Sequence, residues 1–188
     1  MKNEKGFSLI ELIIVIAILT ILSSGVIVAV WTGNNWKANK AQQVLDSTLN
    51  KTMVYAMSKG NVAGLALYEL NGTYYAATIS SSGKTPNGYT LDSGNIIDKT
   101  ELGKAPLTIS IRYKNVGDPA EKSFTLSDQS DESNMDSYAE FLYNRSSGAI
   151  KDVIIGGVSS RYTGIDVTYN SKTKKITIYS ATGRHEAE

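Results

Sequence analysis

The sequence predicts an α+β fold in which one long N-terminal α-helix, with a transmembrane half and an amphipathic half, packs on a C-terminal antiparallel β-sheet domain. Two observations support this prediction. Residues 7–59 join a predominantly apolar stretch to a segment in which apolar residues recur every three or four positions. After Gly60, short alternating segments rich in tyrosine and β-branched residues follow one another between turn residues.

Residues 12–31 contain no charged side chain. About twenty residues of α-helix span about 30 Å, the thickness of the hydrocarbon core of a bilayer. A secretory signal peptide is disfavoured because the apolar stretch is too long and no clean A-x-A cleavage site follows it. A plain membrane anchor explains the length but not Glu11, because a carboxylate in a transmembrane helix is costly.

Glu11 would gain a partner if the chain were cut between Gly6 and Phe7. The new amino terminus would lie about one helical turn from the carboxylate, and attraction in a low dielectric would offset the cost of burying both charges. The amine would belong to the same chain or to a neighbouring one. In the second case the pair would set the register of an assembly.

The segment Gly6-Phe7-Ser8-Leu9-Ile10-Glu11 resembles the processing site of type IV prepilins and pseudopilins. In that family a short basic leader ends in Gly and is followed by Phe, by Glu at the fifth mature position and by an apolar helix. The resemblance implies that prepilin peptidase, a membrane aspartyl protease, removes residues 1–6 and methylates the amino group of Phe7. It also implies that Glu11 acts in filament assembly.

The same resemblance implies a pilin fold with four parts. The leader is 1–6, the transmembrane and filament-core helix is 7–31, the amphipathic helix is 32–59, and the β-rich globular domain is 60–188. The implied partners are prepilin peptidase, other pilin or pseudopilin subunits in a homo- or hetero-filament, and the cytoplasmic membrane before assembly. We expect a single-pass membrane precursor that becomes a surface filament, of either a type IV pilus or a secretion-type pseudopilus. A membrane-anchored adhesion domain and a DNA-binding minor pilin are the alternatives.

Composition argues against other kinds of site. The chain has no cysteine, which excludes disulfides, thiol catalysis and cysteine-based zinc sites. The one histidine, His185, cannot form a multi-histidine metal site, and we expect it to be a solvated tail residue. The formal net charge of +1 gives no bulk attraction to nucleic acid. We expect no enzymatic activity, catalytic residue, cofactor or metal, and we interpret the acidic segment Ser127–Ser137 as a solvated loop rather than a Ca²⁺ site.

The C-terminal sequence adds a weaker resemblance. FLYNRSSGAI and KITIYSATGRHEAE look like the closing strands of H-type pseudopilins and FimT-like minor pilins. Some FimT-like proteins bind DNA through a second arginine two residues after a Gly-Arg pair. Here Gly183-Arg184 is followed by Glu186 at that place, so nucleic acid is disfavoured as a partner. This ending, and the lack of the cysteine pair that many major pilins carry, favour a minor pilin or a pseudopilin.

The individual elements of the globular part follow from periodicity and turn residues. A helical stripe is expected to pack on the sheet, with polar residues such as Gln42 on the other sides and a stop near Gly60. Asn71-Gly72 predicts a type I′ hairpin within 66–79, and 80–104 is expected to be a loop. The stripe consists of Ala38, Ala41, Leu45, Leu49, Met53 and Ala56, and the other predicted strands are 107–114, 122–126, 138–143, 149–155, 164–169 and 175–179, the last pair joined by NSKTK.

Overall fold

The computed structural model describes residues 9–85, 88–89, 91, 94–131, 135 and 137–188, with the side chains of 21–34, 83–85 and 88–89 left out. Helix α1 spans Leu9–Ser58 and a short 3₁₀ turn spans Ser81–Gly83. The described strands, in chain order from β1 to β13, are Val62–Leu70, Thr73–Ser80, Lys84–Thr85, Gly88–Tyr89, Ile96–Lys104, Leu107–Asn115, Glu121–Thr125, Asp128–Gln129, Tyr138–Leu142, Val153–Ile155, Val158–Tyr169, Lys172–Tyr179 and Arg184–Ala187.

The described part of the chain has the predicted α+β class. One sheet has the order β5-β2-β1-β8, with β9 also paired to β1, and a second has the order β13-β12-β11-β6-β7, with β10 paired to β11. Pairing within these sheets is antiparallel except for the short parallel contact of β8 with β1. The predicted helical stripe packs into the core that the two sheets share, with Met53 at its margin.

Several hairpins are confirmed in detail. Asn71 and Gly72 have φ values of 50° and 69°, as both central positions of a type I′ turn require, and they join β1 to β2. Strand β7 pairs with β6 across the turn that contains Gly117. The last hairpin also forms, but its turn is only Asn170 and Ser171, so β12 begins three residues earlier than expected.

The expected loop 80–104 is wrong at its C-terminal end. Residues Ile96–Lys104 form β5, which pairs with β2 along most of its length. This strand is an edge strand with mostly exposed side chains, so its charged residues hide the alternation by which a strand is recognised. The predicted strand 149–155 is shorter than expected, since only Val153–Ile155 pairs as β10 while Ile150 makes an isolated bridge to Tyr143.

Strand β1 is buried on both faces and separates two apolar clusters. Leu65 and Leu67 face the large cluster beneath the helix. Ala66 and Tyr68 face a smaller cluster that includes Leu91 and Met135 from the long connections. The helix, the two sheets and these connections therefore form one packed unit, with the second half of α1 as its spine.

Candidate assembly helix and its attachment to the sheet

Glu11 lies in the first turn of α1 as the structure describes it, and its side chain is exposed. An acidic residue in this turn interacts favourably with the helix dipole. Gly6 and Phe7, the predicted sites of cleavage and methylation, lie outside the described residues. Glu11 is therefore exposed at the start of the described helix, and its pairing with an amino terminus stays a prediction.

Apolar side chains cover every face of α1 between Leu9 and Leu19. Their exposed fractions run from 48% for Val15 to 77% for Leu9. A helix that is hydrophobic on all sides is normally buried in a membrane or among other helices. This part of the helix therefore exposes an apolar surface that a membrane or other helices would be expected to cover.

The hydroxyl of Thr20 is satisfied within the helix. Its Oγ1 donates a hydrogen bond to the carbonyl oxygen of Ala17, at 2.8 Å. A hydroxyl that is hydrogen-bonded to its own backbone does not require water, which suits apolar surroundings.

Among the described residues, no helix combines the length and the apolar character that crossing a bilayer requires.

The second half of α1 is attached to the sheets by polar contacts as well as by the apolar stripe. The amide Nε2 of Gln42 donates to the carbonyl oxygens of Lys175 and Glu188, at 2.8 and 2.9 Å. Gln42 is 6% exposed, so its predicted place on the polar side of the helix is wrong. Deeper in the core, the hydroxyls of Thr52 and Thr78 lie 3.2 Å apart.

A third contact comes from a tyrosine of the sheet. The hydroxyl of Tyr143 donates to the carbonyl oxygen of Leu49, at 3.4 Å. Burial raises the pKa of the Tyr143 hydroxyl, because ionisation would leave a charge in the core. The hydroxyl therefore stays protonated, and a donor, well above neutral pH.

The expectation that His185 is a solvated tail residue is wrong. Its side chain is 2% exposed, and its Nε2 lies 3.3 Å from the Oδ1 of Asp46 and 3.2 Å from the carbonyl oxygen of Asp46. Strand β13 pairs with β12 and carries this imidazole under the helix. The C-terminal strand is therefore fixed to α1 by both His185 and Gln42.

An ion pair links the helix to the edge strand β5. The Nζ of Lys51 lies 2.8 Å from the Oδ2 of Asp98. The hydrogen bond and charge of Lys51 lower the pKa of the Asp98 carboxyl, and Asp98 raises the pKa of Lys51 in return. Both side chains are about half exposed, so the pair contributes little to stability.

The Gly-Arg pair of the C-terminal sequence has a structural explanation. Gly183 has a φ of 70°, and a Cβ at this position would collide with the carbonyl oxygen of Gly148. Arg184 Nη2 lies 2.7 Å from Glu186 Oε1. The guanidinium of Arg184 is therefore paired within its own strand, and the expectation that nucleic acid is disfavoured stays a prediction.

The acidic segment 127–137 is partly ordered into the sheet. Asp128 and Gln129 form β8, and the Oδ1 of Asp128 accepts a hydrogen bond from the backbone N–H of Gly72, at 2.9 Å. Glu132 and Asp136 lie outside the described residues. Among the residues that are described, no group of three or more potential metal-ligating side chains occurs.

Sequence periodicity contained a signal for the buried polar residues of the helix. Gln42 lies four residues after Ala38 and three before Leu45, and Thr52 lies three after Leu49, so both are on the stripe. Gln42 was expected on the exposed side of the helix only because its side chain is polar. For His185 the sequence near the residue gave no comparable signal, because its partner is on an element far along the chain.

Residues 1–27 match the family model for the prokaryotic N-terminal methylation motif. No significant match was found among curated proteins or among solved structures. The matched range contains Gly6, Phe7 and Glu11, the residues on which the resemblance was based. The chain therefore carries the prepilin-type signal that is common to type IV pilins and pseudopilins.

Proposed function

We propose that this protein is a structural subunit of a type IV pilus or of a secretion-type pseudopilus. It is made as a membrane-anchored precursor, cut between Gly6 and Phe7 by prepilin peptidase, methylated at Phe7 and assembled into a helical filament. It is a substrate of an enzyme and has no catalytic role of its own. In the filament, Glu11 pairs with the amino terminus of an adjacent subunit.

The observation that supports this proposal most strongly is the state of the first half of α1. Apolar side chains are exposed on all its faces, and one carboxylate, that of Glu11, lies in its first turn. A membrane covers the apolar faces before assembly, and neighbouring helices cover them afterwards. An assembly that brings a positive charge to Glu11 also offsets the cost of burying it.

The attachment of α1 to the globular part supports the proposal of a filament subunit whose β-domain faces outward. The second half of α1 is committed to its own sheets through the apolar stripe and through Gln42. The first half carries no such attachment among its described side chains. One helix thus serves two purposes, with assembly at one end and the folded domain at the other.

The decisive experiment is the mass of the N-terminal peptide of the mature protein. Expression with prepilin peptidase should give a peptide that lacks residues 1–6 and carries one added methyl group on Phe7. An intact leader would contradict the proposal. The alternative of an anchored adhesion domain predicts that changing Glu11 leaves the oligomeric state as it was.

We further propose that the subunit is a minor pilin or a pseudopilin. The resemblance of the C-terminal strands supports this finer assignment. Purified filaments should then contain the protein as a trace band beside a more abundant subunit. A dominant band would identify it as a major pilin instead.

A further inference from the structure

A groove of about 420 Å³ lies where α1 first meets the β-domain. The helix contributes Trp36, Lys37 and Lys40, and the sheets contribute Lys104 and Tyr169. Its floor is apolar and includes Leu102 and Leu107. Nothing in the assembly role described above uses this groove.

The rim of the groove is basic. Three lysines and one glutamate, Glu101, are its charged lining residues, which leaves two positive charges in excess. The side chains of Lys37, Lys40 and Lys104 are exposed. A basic rim above an apolar floor is complementary to a group that carries a phosphate on an apolar body.

Two of the lysines are held in place by aromatic side chains. The Nζ of Lys37 donates a hydrogen bond to the Tyr169 hydroxyl at 2.9 Å, and the Nζ of Lys40 lies 5.3 Å from the ring centroid of Trp36. An ammonium group has three protons, so Lys37 keeps donors for a further acceptor. The lysines are therefore ordered in position and still able to bind an anion.

The level of the groove along the helix identifies its occupant. Trp36 follows Trp31, the last residue of the predicted transmembrane segment 7–31, by five positions, which is a rise of about 7.5 Å. The polar layer on each side of a bilayer is about 5–8 Å thick beyond the hydrocarbon. Helical side chains also point toward the N-terminus, which brings Lys40 back toward the membrane.

Trp36 has the character of a residue at this level. Its side chain is 60% exposed although it is a large aromatic. Tryptophan is enriched at the headgroup level of membranes, where one side of the ring is apolar and the other is wet. Its exposure is costly in water and favourable among headgroups.

We infer that this groove binds the phosphate headgroup of an anionic phospholipid while the protein is a membrane precursor. This inference rests on the proposed membrane-anchored precursor and adds a specific lipid site to it. The headgroup phosphate accepts hydrogen bonds from Lys37, Lys40 and Lys104, and the first methylene groups of an acyl chain lie on the apolar floor. The site fixes the height of the β-domain above the membrane before the subunit enters a filament.

The test uses the full-length chain with Trp31→Phe, so that Trp36 is the one tryptophan left of the two in the sequence. The protein is placed in phosphatidylcholine vesicles that contain phosphatidylglycerol, with either lipid supplied in brominated form. Quenching of Trp36 fluorescence gives the relative association constant of the two lipids. We expect a preference for phosphatidylglycerol of about fivefold or more, since one lysine at an anionic surface contributes about this factor.

The matched variants remove equal charge from opposite ends of the domain. Lys37→Gln, Lys40→Gln and Lys104→Gln together should abolish the lipid preference. Lys59→Gln, Lys114→Gln and Lys151→Gln remove three exposed lysines at the other end and should leave the preference unchanged. Arginine in place of the first three lysines should preserve it, and an unchanged far-UV circular dichroism spectrum of the glutamine variant shows that its loss of preference is not a folding defect.

Three results would overturn the inference. One is an equal association of both lipids with the Trp31→Phe protein, and another is an equal loss of preference in the two glutamine variants, which would indicate general electrostatics. The third is a Trp36 signal that depends on protein density and not on lipid composition, which would assign the groove to a second copy.

The proposed function is read out separately in the same samples. If the leader is removed at Gly6 and the protein resists alkaline carbonate extraction, but no lipid preference is found, the headgroup site alone is wrong. If wild-type protein keeps its leader and is extracted by carbonate, the membrane-anchored precursor is wrong and the headgroup site with it.

Discussion

The two halves of α1 belong to one helix and yet differ in what surrounds them. From Leu9 to Leu19 the large apolar side chains are about half exposed or more. From Ala38 to Ala56 one face is buried against the chain's own sheets, with Leu45 and Leu49 almost fully enclosed. The second half is therefore stabilised by folding, whereas the first half needs a partner from outside the chain.

Removing the charge at Glu11 should produce the largest effect and should act on the first half alone. In Glu11→Gln the amine of a neighbouring subunit is left buried without a counter-ion, which costs about 3–5 kcal/mol at each contact. Filament yield, measured from sheared cells, should fall to a small fraction of the wild-type value. The unfolding midpoint of the β-domain should stay the same.

Glu4→Gln is the matched control for this change. It removes the same charge from residues 1–6, the leader that prepilin peptidase is proposed to remove, so filament yield should be normal. Normal filaments from Glu11→Gln would contradict the assembly role.

Truncating a buried leucine should produce the largest effect on folding. Leu49 is 1% exposed and belongs to the main core, so Leu49→Ala should lower the free energy of unfolding by about 2–5 kcal/mol. Leu12, in the first half, is 56% exposed. Leu12→Ala should therefore change the free energy of unfolding by less than about 0.5 kcal/mol. Urea denaturation in detergent measures both, and similar losses in the two variants would remove the contrast between the halves.

Neighbouring glutamines provide a finer comparison within the second half. Gln42→Ala leaves the carbonyl oxygens of Lys175 and Glu188 without this donor, and we expect a loss of about 1–3 kcal/mol. Hydrogen exchange in β13 should also become faster, because a contact that fixes the C-terminal strand is lost. Gln43 is exposed, so Gln43→Ala should leave exchange in β13 unchanged.

The smallest expected effect concerns the ion pair of Lys51 with Asp98. Because the pKa of Asp98 is lowered in the folded state, the pair stabilises above the ordinary carboxyl pKa of about 3.9 and this stabilisation is lost as the pH falls through the lowered value. Asp98→Asn should therefore cost at most about 1 kcal/mol at pH 7 and progressively less below about pH 4. A double-mutant cycle with Lys51→Gln isolates the pair, and a coupling that persists in acid would argue against this assignment.

Much of the fold could be predicted because local patterns encode it. The helical stripe from Ala38 to Ala56 was predicted from spacing, and the β1–β2 hairpin from Asn71-Gly72. Strand β5 was missed because an exposed edge strand needs no apolar alternation. The burial of His185 was missed because it depends on a contact with Asp46, far away in the sequence.

The candidate site likewise combines residues that could be predicted from the sequence with a groove that could not. Gly6, Phe7 and Glu11 were identified from the sequence, and the match of residues 1–27 to the methylation motif supports the resemblance on which they rest. Their roles remain predictions. The groove beside Trp36 was not found from the sequence, because Lys104 and Tyr169 come from distant strands and meet Lys37 only in the folded chain.

The processing signal, the apolar and amphipathic halves of the helix, and most hairpins could be predicted from the amino-acid sequence. These features depend on residues that are close along the chain, so local chemistry is enough to specify them. Three other features depend on the packing of distant segments. Gln42 and His185 fix the C-terminal strand, a charged segment becomes an edge strand, and three lysines border one groove. Such contacts join distant segments, and the burial that gives them their energy exists only after the sheets and the helix have packed together.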